Sequence, residues 1–301
     1  MKRYYIGADI GGTGMKAAVV GGQGEIVARR GIATPVHEGA AGILAGLKKI
    51  IAELMPGRYE ISGIGIGTAG RVDPAQGTVL YATENLPGWT GMRLAEAIGS
   101  EFPLPVAVGN DANAAALGEG WLGAASGLKD YVMLTLGTGV GGAIIHQGEP
   151  VPGTQGGAGE LGHTVLYPGG IACSCGQQGC TEHYVSGKAL SRLAGEAAAG
   201  WDGRRLLAEF AAGSAPAAAV AAMERYMYDL SLAVHNIQSI MDPEAIIIGG
   251  GVADSHALWW EAWMSRLPAV SPLPVKVLPA RLGNEAGMIG AARMIMNREG
   301  K

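Results

Sequence analysis

The sequence predicts an α/β protein of two lobes built on one plan around a substrate cleft, with a metal-binding loop in the second lobe. Three observations point there. A strand, a glycine turn and a returning strand occur twice: residues 4–10, Gly11-Gly12-Thr13-Gly14 and 16–20, then 131–136, Gly137-Thr138-Gly139 and 142–146. An apolar strand closed by glycine also recurs, as Ile64-Gly65-Ile66-Gly67 and as Ile246-Ile247-Ile248-Gly249. Finally, the chain's 3 cysteines all fall in the run Cys173-Ser174-Cys175-Gly176-Gln177-Gln178-Gly179-Cys180. Self-similarity of the first two kinds places like turns at like positions in two lobes.

Each element follows from local pattern. The stretches 4–10, 16–20 and 25–33 are strands, separated by glycine turns. A helix over 40–54 is ended by Met55-Pro56-Gly57, since proline and glycine stop helices. The run 61–67 is a buried strand that leads into a loop over 68–74; a strand at 106–108 and a helix over 112–120 come next. In the second half, strands 131–136 and 142–146 precede a long helix over 216–241 and the strand 245–248, closed by Gly249-Gly250-Gly251. The last helix, 285–296, is expected to return to the first lobe. The lobes are therefore placed at 1–115 plus 285–301, the smaller, and at 116–284, the larger. Trp259, Trp260 and the methionines at 223, 227 and 241 read as packing.

Length and composition narrow the function classes. A chain of 301 residues is long enough for two lobes, and 48% apolar content excludes a disordered chain. A net charge of −4 and a pI near 5.9 argue against nucleic-acid or membrane-surface binding. No apolar run approaches the roughly 20 residues that span a bilayer. The first residues lead directly into a strand, so no signal peptide is expected. Reduced, metal-bound cysteines suit the cytoplasm.

Four soft ligands close together, His163, Cys173, Cys175 and Cys180, are what a closed tetrahedral zinc site requires. Gly176 and Gly179 let the backbone turn tightly enough to bring the sulfurs together. Glu160 and Glu182 flank the set, so the zinc is expected to shape a polar pocket.

The glycine turns read as phosphate cradles, because backbone N–H groups converge on anionic oxygens where no side chain intervenes. Gly11, Gly12 and Thr13 form one, with Lys16 as a cation and Asp9 as a carboxylate for Mg²⁺. Gly137, Thr138 and Gly139 form the other. Gly137, Gly139 and Gly142 also satisfy G-x-G-x-x-G, but a β-type run stands where a dinucleotide site needs a helix. Gly187-Lys188-Ala189 lacks the hydroxyl of a Walker A loop. Asp111, where a strand meets a helix, is either an N-cap or a carboxylate at the sheet's carboxyl edge able to take a proton.

Together these residues resemble the ROK family (repressors, open reading frames and kinases), sugar kinases of the actin-like ATPase superfamily. The likeness spans essentially the whole chain. It rests on Asp9-Ile10-Gly11-Gly12-Thr13, Gly109-Asn110-Asp111-Ala112-Asn113, Leu136-Gly137-Thr138-Gly139-Val140-Gly141-Gly142, Glu160-Leu161-Gly162-His163 and the cysteine run with Glu182. The resemblance implies RNase H-like lobes and an ATP- and Mg²⁺-dependent hexose kinase with Zn²⁺, usually a homodimer. It implies Asp111 as catalytic base, and Asn110, Glu160, His163 and Glu182 on sugar hydroxyls, with His163 also on zinc. Asn85, in the segment 83–89, is expected to border the sugar, and the adenosine is expected near Gly249, Gly250 and Gly251.

Phosphorylation at O6 of glucose is the first expectation, with N-acetylmannosamine, N-acetylglucosamine, allose, mannose or fructose as alternatives. A sugar-sensing transcriptional regulator needs a helix-turn-helix before the first strand, and a strand starting at Tyr4 leaves no room for one. A sugar-binding protein without catalysis would lose Asp111 or the Asp9 turn. His37, His146, His183, His235 and His256 carry no site context.

Overall fold

The computed structural model describes residues 3–55, 57 and 59–299. Alternation with a period of two builds its first sheet, because successive strand side chains point to opposite faces. In β1 (Tyr4–Ile10), Ile6, Ala8 and Ile10 enter one apolar cluster, whereas Tyr5 enters another on the opposite face. β2 (Gly14–Gly21) and β3 (Ile26–Ala33) run antiparallel beside it. α1 (Gly39–Ala52) covers the first cluster with Ile43, Leu47, Ile50 and Ile51. β4 (Ile61–Thr68) repeats the rule: Ile64 and Ile66 join that cluster, and Gly63, Gly65 and Gly67 line the other side.

The stretch expected as loop carries β5 (Arg71–Asp73), which pairs with β6 (Thr78–Tyr81) as a separate two-stranded sheet. α2 (Leu94–Gly99), β7 (Val106–Asn110) and α3 (Asp111–Leu122) complete the region. The main sheet has the order β3-β2-β1-β4-β7, with β1, β4 and β7 parallel.

The second sheet starts with β8 (Tyr131–Leu136), β9 (Val140–His146) and the short β10 (Glu149–Pro150). Helices α4 (Glu182–Val185), α5 (Gly187–Ala197), α6 (Gly203–Ala211) and α7 (Ala217–Met241) precede β11 (Ala245–Gly249). α8 (Trp260–Val270), β12 (Val277–Pro279) and α9 (Ala286–Glu299) end the chain's regular structure. Ser186 and Asp202 cap α5 and α6 by accepting from Ala189 N and Arg205 N. The sheet order is β10-β9-β8-β11-β12, with β8, β11 and β12 parallel and β9–β10 antiparallel. It is the order of the first sheet over again.

The chain divides into two compact units. One takes the chain up to Lys129, Ile144–Ala158 and the segment from Asn284 onward; the other takes Asp130–Ala143 and Gly159–Gly283. The boundary therefore differs from the expected 115/116, and the first unit is the larger. Packing between α3 and α9 is the reason. A Cβ on Gly118 would overlap Ala286 O at 2.5 Å, and one on Gly290 would overlap Ala114 O, so residues 116–129 stay with the first unit. α9 also lies on the first sheet at backbone contact, since a Cβ on Gly7 or Gly65 would overlap Met288 O or Ala291 O. These glycines serve close approach rather than turns. Among the described residues no helix is long and apolar enough to cross a membrane.

Candidate functional site

In the first unit, parallel pairing levels the carboxyl ends of β1, β4 and β7: Asp9 lies beside Gly67, and Gly67 beside Gly109. Ligands of open α/β sheets collect at such ends. Asp111 comes at once, as the first residue of α3. The helix cap, however, is Asn110, whose Oδ1 accepts from Asn113 N at 3.1 Å. Its Nδ2 donates to Gly70 O and to Asp111 Oδ1, each at 3.0 Å. Ala112 N donates to the same Asp111 oxygen at 2.9 Å. The capping job thus falls to the neighbour, and Asp111 is a carboxylate held in place by an amide at a helix N-terminus, where negative charge is favoured. Asn110, expected on the sugar, has both amide hydrogens on protein acceptors. Gly70, which supplies one of them at φ 105°, was not singled out by sequence reasoning.

The first glycine turn is narrower than its sequence suggests. Gly11 N–H donates to Gly14 O at 3.0 Å and Gly11 O accepts from Thr34 Oγ1 at 2.6 Å. The turn therefore offers the amides of Gly12 and Thr13. Asn85 is exposed and leans on it, because a Cβ on Gly12 would stand 3.3 Å from Asn85 Cβ. Lys16 Nζ lies 3.6 Å from Asp9 Oδ2 and donates to Asn284 O at 3.1 Å. Burial pushes the Asp9 carboxyl above its ordinary value, and the Lys16 charge opposes that rise. A carboxylate so placed gains from a second cation.

In the second unit, one donor atom each of His163, Cys173, Cys175 and Cys180 lies within 4.8 Å of the others. Cys175 Sγ is 3.6 Å from Cys180 Sγ, and Cys173 Sγ is 3.6 Å from His163 Nδ1. Four ligands arranged tetrahedrally at ~2.3 Å from one ion stand about 3.8 Å apart, so the set fits zinc. Without a cation, burial pushes the Cys180 thiol up to about 12, the penalty a bound metal removes. The loop has its own anchorage: Tyr167 O–H donates to Asp229 Oδ1 at 2.6 Å, and Arg225 Nε bridges the same carboxylate at 3.0 and 3.1 Å. Gly179, at φ 81°, lies so close to Tyr167 O that a side chain would overlap it.

Glu182 joins this cluster to the second glycine turn. Its Oε1 is 3.2 Å from Cys173 Sγ and 3.7 Å from His163 Nδ1, and a Cβ on Gly139 would stand 2.6 Å from its Oε2. His183, which the sequence left without context, has Nε2 buried 4.0 Å from Glu182 Oε1. Glu160 is half-buried just before the turn Leu161–His163, its carbonyl accepting from His163 N at 3.1 Å.

The glycines differ in kind. Gly137 has open space where a side chain would be, and Thr138 is exposed. Of the trio that ends β11 and follows it, Gly249 would meet Met133 Cε at 2.7 Å and Gly250, at φ 85°, would overlap Leu136. Gly251 alone faces open space.

Comparison with known proteins agrees along the whole chain. Residues 5–298 match the ROK family. A glucokinase of Halalkalibacterium halodurans is 34% identical, over 99% of this chain and 96% of that one. An N-acetylmannosamine kinase of Escherichia coli O157:H7 is 30% identical, over 94% and 95%. The crystal structure of a ROK family glucokinase from Streptomyces griseus in complex with glucose and AMPPNP superposes with a TM-score of 0.85 at 34% identity, covering 98% of this chain and 99% of that one.

Proposed function

The chain belongs to the ROK family and is an ATP-dependent sugar kinase, and on that premise we propose that it transfers the ATP γ-phosphoryl group to O6 of glucose. One observation carries the proposal: Asp111 sits at the carboxyl edge of the parallel strands, relieved of capping and oriented by Asn110. Such transfer passes through a loose transition state, so positioning and charge neutralisation outweigh deprotonation. Asp111 orients the acceptor hydroxyl and takes its proton late in the step.

The remaining roles follow the family resemblance. Glu160 and Glu182 accept from sugar hydroxyls, His163 donates to one from the ring N–H that zinc leaves free, and Asn85 borders the sugar ring. An acceptor left unpaired by the wrong epimer is penalised, which sets selectivity. The amides of Gly12 and Thr13 and the turn at Gly137, Thr138 and Gly139 hold phosphate oxygens, with Lys16 beside them. Gly251 lies nearest the adenosine. Mg²⁺, held through Asp9, supplies charge neutralisation on the phosphates. Zn²⁺, held by His163, Cys173, Cys175 and Cys180, is structural and fixes the loop that carries Glu182. The repeated sheet order supports RNase H-like, actin-like lobes. A homodimer in the cytoplasm completes the reading.

N-acetylmannosamine is the second candidate acceptor, on the strength of the relative that bears that name. A coupled ADP-release assay over a panel of hexoses and N-acetylhexosamines separates the two. Glucose should give the highest kcat/KM, with sugar 6-phosphate as product. A higher value for an N-acetylhexosamine would reassign the acceptor, and no sugar-dependent ADP release at all would defeat the proposal.

A further inference from the structure

Thr68 and Trp89 are fully buried, and each carries a polar group that burial would otherwise strand. They satisfy one another, Trp89 Nε1–H donating to Thr68 Oγ1 at 3.0 Å. The pair stands at the functional edge of the first sheet. Thr68 ends β4, whose neighbours are β1 and β7, and its register partners are Ile10 and Asn110. It therefore lies between the strand that enters the first glycine turn and the residue that orients Asp111.

Trp89 closes the segment 83–89, which carries Asn85. Local bonds fold this segment back on itself: Leu86 N donates to Thr83 O at 2.9 Å, and Trp89 N to Leu86 O at 3.2 Å. Leu86 and Trp89 sink into the apolar cluster of the sheet. Asn85 stays exposed against the glycine turn, its carbonyl oxygen 3.3 Å from where a Cβ on Gly12 would stand. Apolar contact is non-directional and leaves an indole free to shift within its cluster, whereas a hydrogen bond to a strand end does not. We propose that Trp89 and Thr68 are positioning residues for the sugar: their bond pins the segment to the end of β4 and so fixes where Asn85 stands relative to Asp111 and the first glycine turn. The proposal rests on the reading that Asn85 borders the sugar.

Thr68→Val keeps the shape and removes the acceptor, and Thr68→Ser keeps the acceptor. With the sugar of highest kcat/KM in the panel, Thr68→Val should raise the KM for sugar roughly 3–10-fold, the usual worth of one hydrogen bond, with kcat and the KM for ATP within about twofold of the parent. Thr68→Ser should match the parent. Trp89→Phe, with an unchanged circular dichroism spectrum, should raise the KM for sugar as Thr68→Val does. The double variant should go no further, since the effects of removing two partners of one bond do not add. Asn85→Ala should raise the KM for sugar too, and adding Thr68→Val to it should change nothing more. A lowered melting temperature with the KM for sugar unmoved in Thr68→Val would reduce the pair to core packing and overturn the proposal, as would an equal rise in Thr68→Ser. A Thr68→Val effect that persists in full on top of Asn85→Ala would overturn the route through Asn85. An unchanged KM for sugar in Asn85→Ala alone would overturn the reading of Asn85 itself.

Discussion

The two five-stranded sheets share one strand order and differ in the residues placed just after their strands. In the first, β7 runs directly into α3, and acids stand at the carboxyl ends: Asp9 in β1 and Asp111 after β7. In the second, Thr135 in β8 stands in the place of Asp9, and Ala280, Arg281 and Leu282, none of them acidic, follow β12, the counterpart of β7, before α9, which belongs to the first unit. The second unit keeps its acids in the long insertion after β9, as Glu160 and Glu182. The outer strand of the second sheet, β10, has 2 residues where β3 has 8. A repeated framework thus repeats only the places where a ligand collects. The chemistry is set by the residue next to each strand end, and the two halves have diverged there.

Removing the acid of the first sheet tests that division most severely. Asp111→Asn keeps the shape and leaves the Asn110 cap intact, so the protein should fold while kcat falls by roughly 10²–10⁴-fold and sugar affinity changes little. Turnover near that of the parent would move the base role to another residue.

The second unit should fail in a different way. Cys180→Ser removes a fully buried donor; zinc content should drop from one per chain to none by elemental analysis. The KM for sugar should rise by about tenfold or more, the order seen when a metal site is disrupted, and the melting temperature should fall. Retained zinc with unaltered sugar binding would separate the cysteine run from the pocket.

The glycines sharpen the contrast within that unit. Gly137→Val places a side chain in open space, so stability should hold while the KM for ATP rises severalfold. Gly250→Ala must adopt φ 85° against Leu136, and should cost about 1–3 kcal/mol of stability. An unchanged ATP affinity in the first variant would move the phosphates elsewhere.

Asp9→Asn gives the smallest effect on stability and the opposite sign. Burial raises the Asp9 pKa above 3.8, so the folded state holds its proton more tightly than the unfolded chain. Stability from this group is therefore lost as pH rises through the folded value, and at pH 7 the charged carboxylate is a burden. Asp9→Asn should raise the melting temperature at pH 7, with the gain shrinking as pH falls toward 3.8, while sugar-dependent turnover collapses. A lower melting temperature at pH 7 would mean that the Lys16 pair outweighs burial.

The sequence by itself determined the long strands, the two turns, the helices α1, α3, α7 and α9, and the grouping of His163 with the three cysteines. All are local: a period of two or 3.6, or ligands a few residues apart, needs no partner from elsewhere in the chain. Short pieces such as β6, α2 and β12 carry too few residues for a period to show. Only the tertiary structure decided that Asn110 rather than Asp111 caps α3, because both residues suit that position and the choice depends on Gly70 O as a distant acceptor. It alone separated glycines that turn the chain from Gly7, Gly65 and Gly290, where another backbone lies against the Cα. It also brought His183 beside Glu182 and kept residues 116–129 with α9. A glycine reads the same in sequence whether it frees a dihedral angle or makes room for a neighbour, and the neighbour in these cases comes from a distant part of the chain.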